Sequence, residues 1–217
     1  YTDLAVTNYD DDDVSIFIND GDGTFAAKVD YSTGGNPTSV SIGDLDNDGY
    51  ADLAVANQDS ISVSILINDN DGTFAPKVDY TTGTTPLSVA LSDLNNDGYP
   101  DLAVANYTDS DTSVLLNNGN GTFAAKVDYT TGSTPTSIKA GDLDNDGYAD
   151  LAVVNYGDSD ISILLNNATT TLSASAGNAE VTISYTTPPQ NDLDSIVILA
   201  STTPFATSTT PVDGTTY

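Results

Sequence analysis

The run DLDNDGYAD occupies residues 44–52 and recurs at 142–150, and its near-copy DLNNDGYPD occupies 93–101. Asp44, Asp93 and Asp142 therefore stand 49 residues apart each time, and the rest of the unit keeps the same step. Asn8, Asn57, Asn106 and Asn155 align, as do Phe25, Phe74 and Phe123, and Lys28, Lys77 and Lys126. A period in the forties with several short strand patterns per unit points to propeller blades or a β-solenoid, in which each unit buries its apolar face on its neighbours.

Four strand patterns fill a unit. In the second they are ADLAVAN (51–57), SVSILIN (62–68), FAPKVDYTT (74–82) and PLSVALSD (86–93). Period-two alternation places Val63, Ile65 and Ile67 on one face, Val14, Ile16 and Ile18 one unit earlier, and Ile161, Ile163 and Leu165 two units later. In the third pattern Phe74, Pro76, Val78 and Tyr80 share a face, with Lys77 and Asp79 on the other. The turns NDGDGTF (19–25), NDNDGTF (68–74) and NNGNGTF (117–123) carry the Asx-Gly chemistry of hairpin loops. Nothing reads as a helix, so the expected class is all-β, with about three and a half four-stranded blades.

The repeated loop has the chemistry of a calcium site. Oxygen-bearing side chains fall at its positions 1, 3, 5 and 9, a carbonyl is available at position 7, and Gly49, Gly98 or Gly147 makes the bend at position 6. Calcium takes six to eight oxygens and needs carboxylates converging from a tight turn, whereas magnesium wants a smaller octahedral shell and keeps its waters. The first loop offers Asp44, Asp46, Asp48, the Tyr50 carbonyl and Asp52. The second offers Asp93, Asn95, Asp97, the Tyr99 carbonyl and Asp101, and the third Asp142, Asp144, Asp146, the Tyr148 carbonyl and Asp150. Asn95 keeps an oxygen but loses a charge, so the second loop is expected to bind most weakly. An EF-hand's position-12 Glu is absent, so these are not EF-hands.

Charge and composition narrow the function. Net charge is −28, and of the 32 acidic residues only Glu180 is a glutamate. Three bound calcium ions would bring the charge only to −22, so nucleic acid and anionic membrane surfaces remain repelled. No apolar run approaches the ~18 residues of a membrane-spanning helix. The chain has no His, Cys or Arg, which removes the ordinary neutral-pH base, the thiol nucleophile and the phosphate clamp, and argues against an enzyme. Each repeated Lys stands two residues before an Asp, the pattern of a surface ion pair.

The P-x-S-V-x-x-x-D-L-x-N-D-G-Y-x-D-L-A-V-A-N run and the N-x-x-x-G-T-F run resemble FG-GAP/VCBS repeats, the calcium-bearing blades of integrin-α-like β-propellers. The resemblance covers about residues 1–167. It implies four-stranded antiparallel blades with calcium held in the hairpin loop between a blade's first two strands; weak multi-carboxylate sites fill at the calcium levels found outside cells, so an extracellular or cell-surface location is expected. Residues 168–217 differ: the Asp-Gly loops stop, and the SASAGNAEVTISY pair, Pro188–Pro189 and DLDSIVILAS resemble the opening strands of a fibronectin type III-like sandwich. The segment is about half of such a domain.

The reading that follows is an extracellular, calcium-stabilised structural or adhesive repeat protein. The alternative is a carbohydrate- or protein-binding propeller module of a larger secreted protein or enzyme. Tyr9, Tyr107 and Tyr156 follow the repeated Asn and are the aromatic candidates for an exposed contact. Asn106, Asn120 and Asn167 each open an N-x-[ST] acceptor sequence for glycosylation. Tyr1 opens inside a strand pattern, and the sequence stops within both the last blade and the sandwich-like segment. These ends carry the expectation of a homo-oligomer, a head-to-tail filament closed by strand addition at residues 1–8 or 195–217.

Overall fold

The computed structural model describes residues 1–167, 172–177 and 180–185. Its regular elements are all strands. β1 (Leu4–Asn8), β2 (Asp13–Phe17) and β3 (Val29–Ser32) form a three-stranded sheet. β4 (Pro37–Gly43), β5 (Asp52–Asn57), β6 (Ser62–Leu66) and β7 (Val78–Thr81) form a four-stranded one. β8 (Pro86–Ser92), β9 (Asp101–Asn106), β10 (Asp111–Leu115) and β11 (Val127–Thr130) repeat it, and β12 (Pro135–Gly141), β13 (Asp150–Asn155) and β14 (Asp160–Leu164) close the series with three strands. All pairings join consecutive strands antiparallel. The expected blade is thus present twice in full. It is flanked by a sheet equivalent to a blade's second to fourth strands and by one equivalent to its first three.

The blades pack through their first strands, with β4 beside β8 and β8 beside β12. Each of these strands opens on a proline, which needs no ladder donor there, followed by a register shift at Pro37/Ser39, Pro86/Ser88 and Pro135/Ser137. Small hydroxyl residues then knit neighbours together. Ser41 Oγ donates to the Val89 carbonyl (2.9 Å) and Thr38 Oγ1 to that of Pro86 (3.1 Å).

Alternation supplies the apolar layers between blades. Val14 and Ile16 pack with Leu53, Val55 and Leu66, and Val63 and Ile65 pack with Leu102, Val104 and Leu115. A third layer joins Ala103 and Ala105 to Ile138, Leu151 and Val153. The matching residues of the last blade, Ile161, Ile163 and Leu165, are exposed, because no described sheet follows to cover them. The long third pattern is shortened as well. Regular strand spans only Val78–Thr81, and Phe74 is held by an isolated bridge to Asn68. This outermost strand faces solvent, and Val78 is exposed.

β15 (Leu172–Gly177) and β16 (Glu180–Tyr185) pair antiparallel as a separate hairpin. They coincide with the first strand pair expected of the sandwich-like segment, whose remainder lies outside the described residues. Among the described residues no helix is long and apolar enough to cross a membrane.

Candidate metal centre

The repeated Asp loop joins a blade's first strand to its second: β4 to β5, β8 to β9, and β12 to β13. Two residues in left-handed conformation set its path. Gly49, Gly98 and Gly147 have φ of 92°, 93° and 88°, where a side chain is strained. Asn47, Asn96 and Asn145 precede them by two with φ of 63°, 58° and 62°. Asn is among the few side-chain-bearing residues that visit this region readily. That asparagine is part of the site's construction which the ligand pattern alone does not single out.

The turn folds the loop's amides onto its own carboxylates. Asp44 Oδ1 and Oδ2 accept from the amides of Asp48 (3.2 Å) and Gly49 (2.9 Å), and Asp48 Oδ1 accepts from Tyr50 (2.9 Å). The third loop repeats this with Asp142 accepting from Asp146 and Gly147 (both 3.1 Å) and Asp146 from Tyr148 (2.8 Å). One carboxylate oxygen from each of Asp44, Asp46 and Asp48 lies within 4.8 Å of the others, and Asp142, Asp144 and Asp146 do the same. In the second loop Asp93 and Asp97 keep these bonds, while Asn95 turns its amide to donate to Asp97 Oδ2 (2.9 Å).

The position-nine aspartates hold the loop to the blade. Asp52 is fully buried, with Oδ2 accepting from the Leu45 amide (2.7 Å) and Oδ1 from the Asn68 amide (2.8 Å). Asp101 serves Leu94 and Asn117, and Asp150 serves Leu143 and Asn166, in the same way. Each ties the repeated loop to the segment that follows its blade's third strand. Each carboxylate still has lone pairs beyond these two bonds. The carbonyl donors Tyr50, Tyr99 and Tyr148 sit on the same loops.

Electrostatically the loops are negative and uncompensated. The ion pairs among the described residues, Lys28–Asp30, Lys77–Asp79 and Lys126–Asp128, all lie on outer strands away from them, as the Lys spacing predicts. Desolvation, then the neighbouring Asp48 charge, pushes the Asp46 carboxyl above its ordinary value, and desolvation with Asp146 and its other neighbours does so for Asp144. Burial raises Asp52 and Asp101. Converging hard oxygens on a fixed turn, with no described ion pair to a lysine, fit a divalent cation of calcium's size and preferences.

A second set of contacts links the first and second loops to the blade that follows each. Asn117 Nδ2 and the Gly121 amide both donate to the Leu45 carbonyl, at 2.9 and 2.8 Å. Asn166 Nδ2 reaches the Leu94 carbonyl at 2.5 Å. Asn117 opens an N-x-x-x-G-T-F turn and Asn166 stands one repeat later, where no G-T-F follows.

At the opposite end, Tyr156 and Tyr9 are exposed and Tyr107 is half-buried. Asn106 is fully buried and its Nδ2 donates to Asp111 Oδ1 (2.7 Å) and Ser113 Oγ (2.8 Å), so in the folded chain that nitrogen is closed to a glycosyl donor. Asn120 and Asn167 are exposed.

The sequence profile of the FG-GAP-like repeat matches residues 1–55, 44–104 and 93–153. No curated protein matches the sequence. Among solved structures, one resembling the chain is an Agrocybe aegerita lectin described for its specific recognition of non-reducing terminal N-acetylglucosamine. It shares 23% identity over 71% of this chain and 47% of the lectin, with TM-score 0.47. Streptogramin B lyase matches at 16% identity over 78% of this chain and 52% of its own, TM-score 0.46. The Photorhabdus luminescens Tc holotoxin pore matches at 20% over 73% and 8%, TM-score 0.44. The chain spans about half the length of the lectin and of the lyase.

Proposed function

Because this chain belongs to the FG-GAP-like repeat family, we propose that it is an extracellular, non-catalytic repeat module whose blades are stabilised by calcium and whose role is structural or adhesive. The observation that carries the reading is the convergence of three carboxylates within 4.8 Å in the first and third loops, none of them in a described ion pair with a lysine. Asp44, Asp46, Asp48, Tyr50 and Asp52 hold the first ion. Asp93, Asn95, Asp97, Tyr99 and Asp101 hold the second, and Asp142, Asp144, Asp146, Tyr148 and Asp150 the third. The ion cancels repulsion that the turn alone must otherwise bear, so its binding free energy is folding free energy. Calcium titration of the chelated protein by calorimetry, with melting curves in calcium and in EDTA, tests this. The expected result is up to three ions bound and a lower melting point in EDTA. No binding heat together with an unchanged melting point at low salt would sink it.

Copies associate head to tail in this reading. The first sheet exposes Leu4 and Val6, which correspond to the buried Leu53 and Val55, and the last blade exposes Ile161 and Ile163, which correspond to the buried Val63 and Ile65. Among the described residues, these faces carry the two halves of the layer that the internal blades bury. Light scattering across concentration checks it, with a monomer at every concentration as the contrary outcome.

A second reading, a carbohydrate- or protein-binding propeller, is supported by Tyr156, 72% exposed, and Tyr9 on the end away from the metal loops. A glycan array probed with the native chain and with Tyr156→Ala discriminates it.

A further inference from the structure

The sequence holds two Asn-Gly bonds, Asn118–Gly119 and Asn120–Gly121, both in the turn between β10 and β11. The corresponding Asn positions carry Asp20 and Asp22 in the first turn, and Asp69 and Asp71 in the second. Asn-Gly is the pair most prone to deamidation, because a glycine amide with no Cβ beside it approaches the preceding side-chain carbonyl carbon most freely. The turn is also a junction. Asn117, at its start, accepts nothing from the repeated loops but donates to both: its amide to Asp101 Oδ1 (2.7 Å), and its Nδ2 to the Leu45 and Pro100 carbonyls (2.9 and 3.0 Å).

The two bonds are chemically alike and structurally different. At Asn120–Gly121 both reacting groups are held. The Gly121 amide is buried and donates to the Leu45 carbonyl (2.8 Å), while Asn120 Oδ1 accepts from the Thr122 amide (3.1 Å) and hydroxyl (2.6 Å). At Asn118–Gly119 the hold is lighter. Asn118 is exposed, and its side chain is tied by one surface bond, Nδ2 to Thr122 Oγ1 (3.0 Å). Gly119 is half-buried with φ of 78°, and the Tyr99 ring lies against it, 2.7 Å from where a Cβ would stand. Its amide donates to Asn117 Oδ1 (2.9 Å). The Asn117 side chain therefore guards this nitrogen with its oxygen and straps the neighbouring blade with its nitrogen.

We propose that Asn118 is a modification site, a spontaneous deamidation centre whose rate is set by the Asn117 guard, and that Asn120 in the same turn is protected. When the Asn117 bond opens, the Gly119 amide loses its proton and its nitrogen attacks Asn118 Cγ. The N–Cγ bond forms, the Cγ–Nδ2 bond breaks, and ammonia leaves with the proton. Water then opens the cyclic imide at either carbonyl, giving aspartate or isoaspartate. The net change is one water consumed and one ammonia released, with no oxidant or reductant. The aspartate product is the residue that the first two turns carry at this position. The isoaspartate product instead lengthens the backbone by a methylene, in the turn that joins the two loops. Conversion at Asn118 thus adds a charge to this junction and marks how often its guard opens.

The test is timed incubation of the full chain in calcium buffer at neutral pH, with both sites followed by peptide mapping and mass spectrometry. A peptide of residues 116–123 gives the unguarded rates. Asn118 should convert more slowly than in the peptide, and Asn120 more slowly still. Asn117→Ala should quicken Asn118 by about three- to tenfold, the worth of one hydrogen bond, and change Asn120 less. A general loosening of the turn would quicken both sites, so Asn120 is the internal control. The proposal is overturned by conversion of Asn120 as fast as Asn118 in the native chain, by an Asn118 rate equal to the peptide's, by no conversion at Asn118 while the peptide converts, or by equal acceleration of both sites in Asn117→Ala.

Discussion

Three phenylalanines occupy one repeat position and three different environments, so alanine at each should give a graded loss. Phe123 is 8% exposed, lies in the central apolar layer and stacks edge-on against Tyr80 with an interplanar angle of 78°. Replacing a buried phenylalanine costs about 3–5 kcal/mol through lost transfer energy and the cavity left behind. The edge-to-face partner accounts for about 0.5–1.5 kcal/mol of pairing beyond area. Phe123→Ala should therefore lie near 3–4 kcal/mol. Phe74 keeps the same aromatic partner but is half-buried, which places Phe74→Ala near 2 kcal/mol. Phe25 has no aromatic contact among the described residues and is 39% exposed, so its loss should stay below ~1 kcal/mol. Urea unfolding followed by far-ultraviolet circular dichroism in calcium buffer reads the series. With a urea slope of about 2 kcal/mol/M, the expected midpoint shifts are roughly 1.5–2, 1 and under 0.5 M. Equal shifts at all three positions would refute the reasoning, because the repeat position and not its surroundings would then set the cost.

Asn95→Asp should raise the second loop's calcium affinity severalfold, since it restores a charge and removes the Asn95 donation to Asp97; calorimetry resolves this against the other two sites. Asn117→Ala should cost about 1–3 kcal/mol in urea unfolding, because it leaves the Pro100 carbonyl without this donor and removes one of the two bonds to the buried Leu45 carbonyl (the Gly121 amide keeps the other), whereas Asn68→Ala, whose amide reaches only the Ala51 carbonyl on the surface, should cost less. Burial raises the Asp52 and Asp101 carboxyls in the folded chain, so their protonation favours folding, and their contribution is lost as pH rises through those raised values. The metal-free chain should therefore melt higher as pH falls toward the ordinary carboxylate value; the lowered Asp22, Asp30 and Asp71 carboxyls give the opposite trend below it, and a melting point in EDTA that falls steadily throughout the descent would contradict the assignment.

The blade was legible because its signals are local. Gly49 and its equivalents mark a bend that favours glycine, Pro37 and its equivalents mark strand starts, and Val63 and Ile65 alternate with polar neighbours, so loop and strands can be placed without knowing the neighbours. What was not legible depends on which neighbour is present. Ile65 and Ile163 have the same place in the alternation, yet one is buried and the other exposed, since covering depends on the next sheet. Asn106 lies in an acceptor sequence for glycosylation that says nothing of its burial, and the hydrogen bonds to Asp111 and Ser113 that close its nitrogen come from the strand across the turn. The Asn117 contact spans 72 residues to Leu45, a separation at which no spacing rule operates.

These long contacts change what the metal loop is for. Asp52 accepts from Leu45 and Asn68, which fastens the loop to the outer turn of its own blade, and the Leu45 carbonyl accepts from Asn117 and Gly121 of the blade that follows. Leu45 itself is fully buried in the layer between those blades. The same peptide segment is thus ligand scaffold, core residue and blade-to-blade strap. A cation that neutralises Asp44, Asp46 and Asp48 lowers the cost of holding that segment in its tight turn, and the benefit extends to every group the turn positions. In a stack whose stability is a sum over neighbouring units, an ion bound in one loop therefore strengthens the junction with the next blade. The Leu94 carbonyl, which accepts from Asn166, repeats the strap at the next junction.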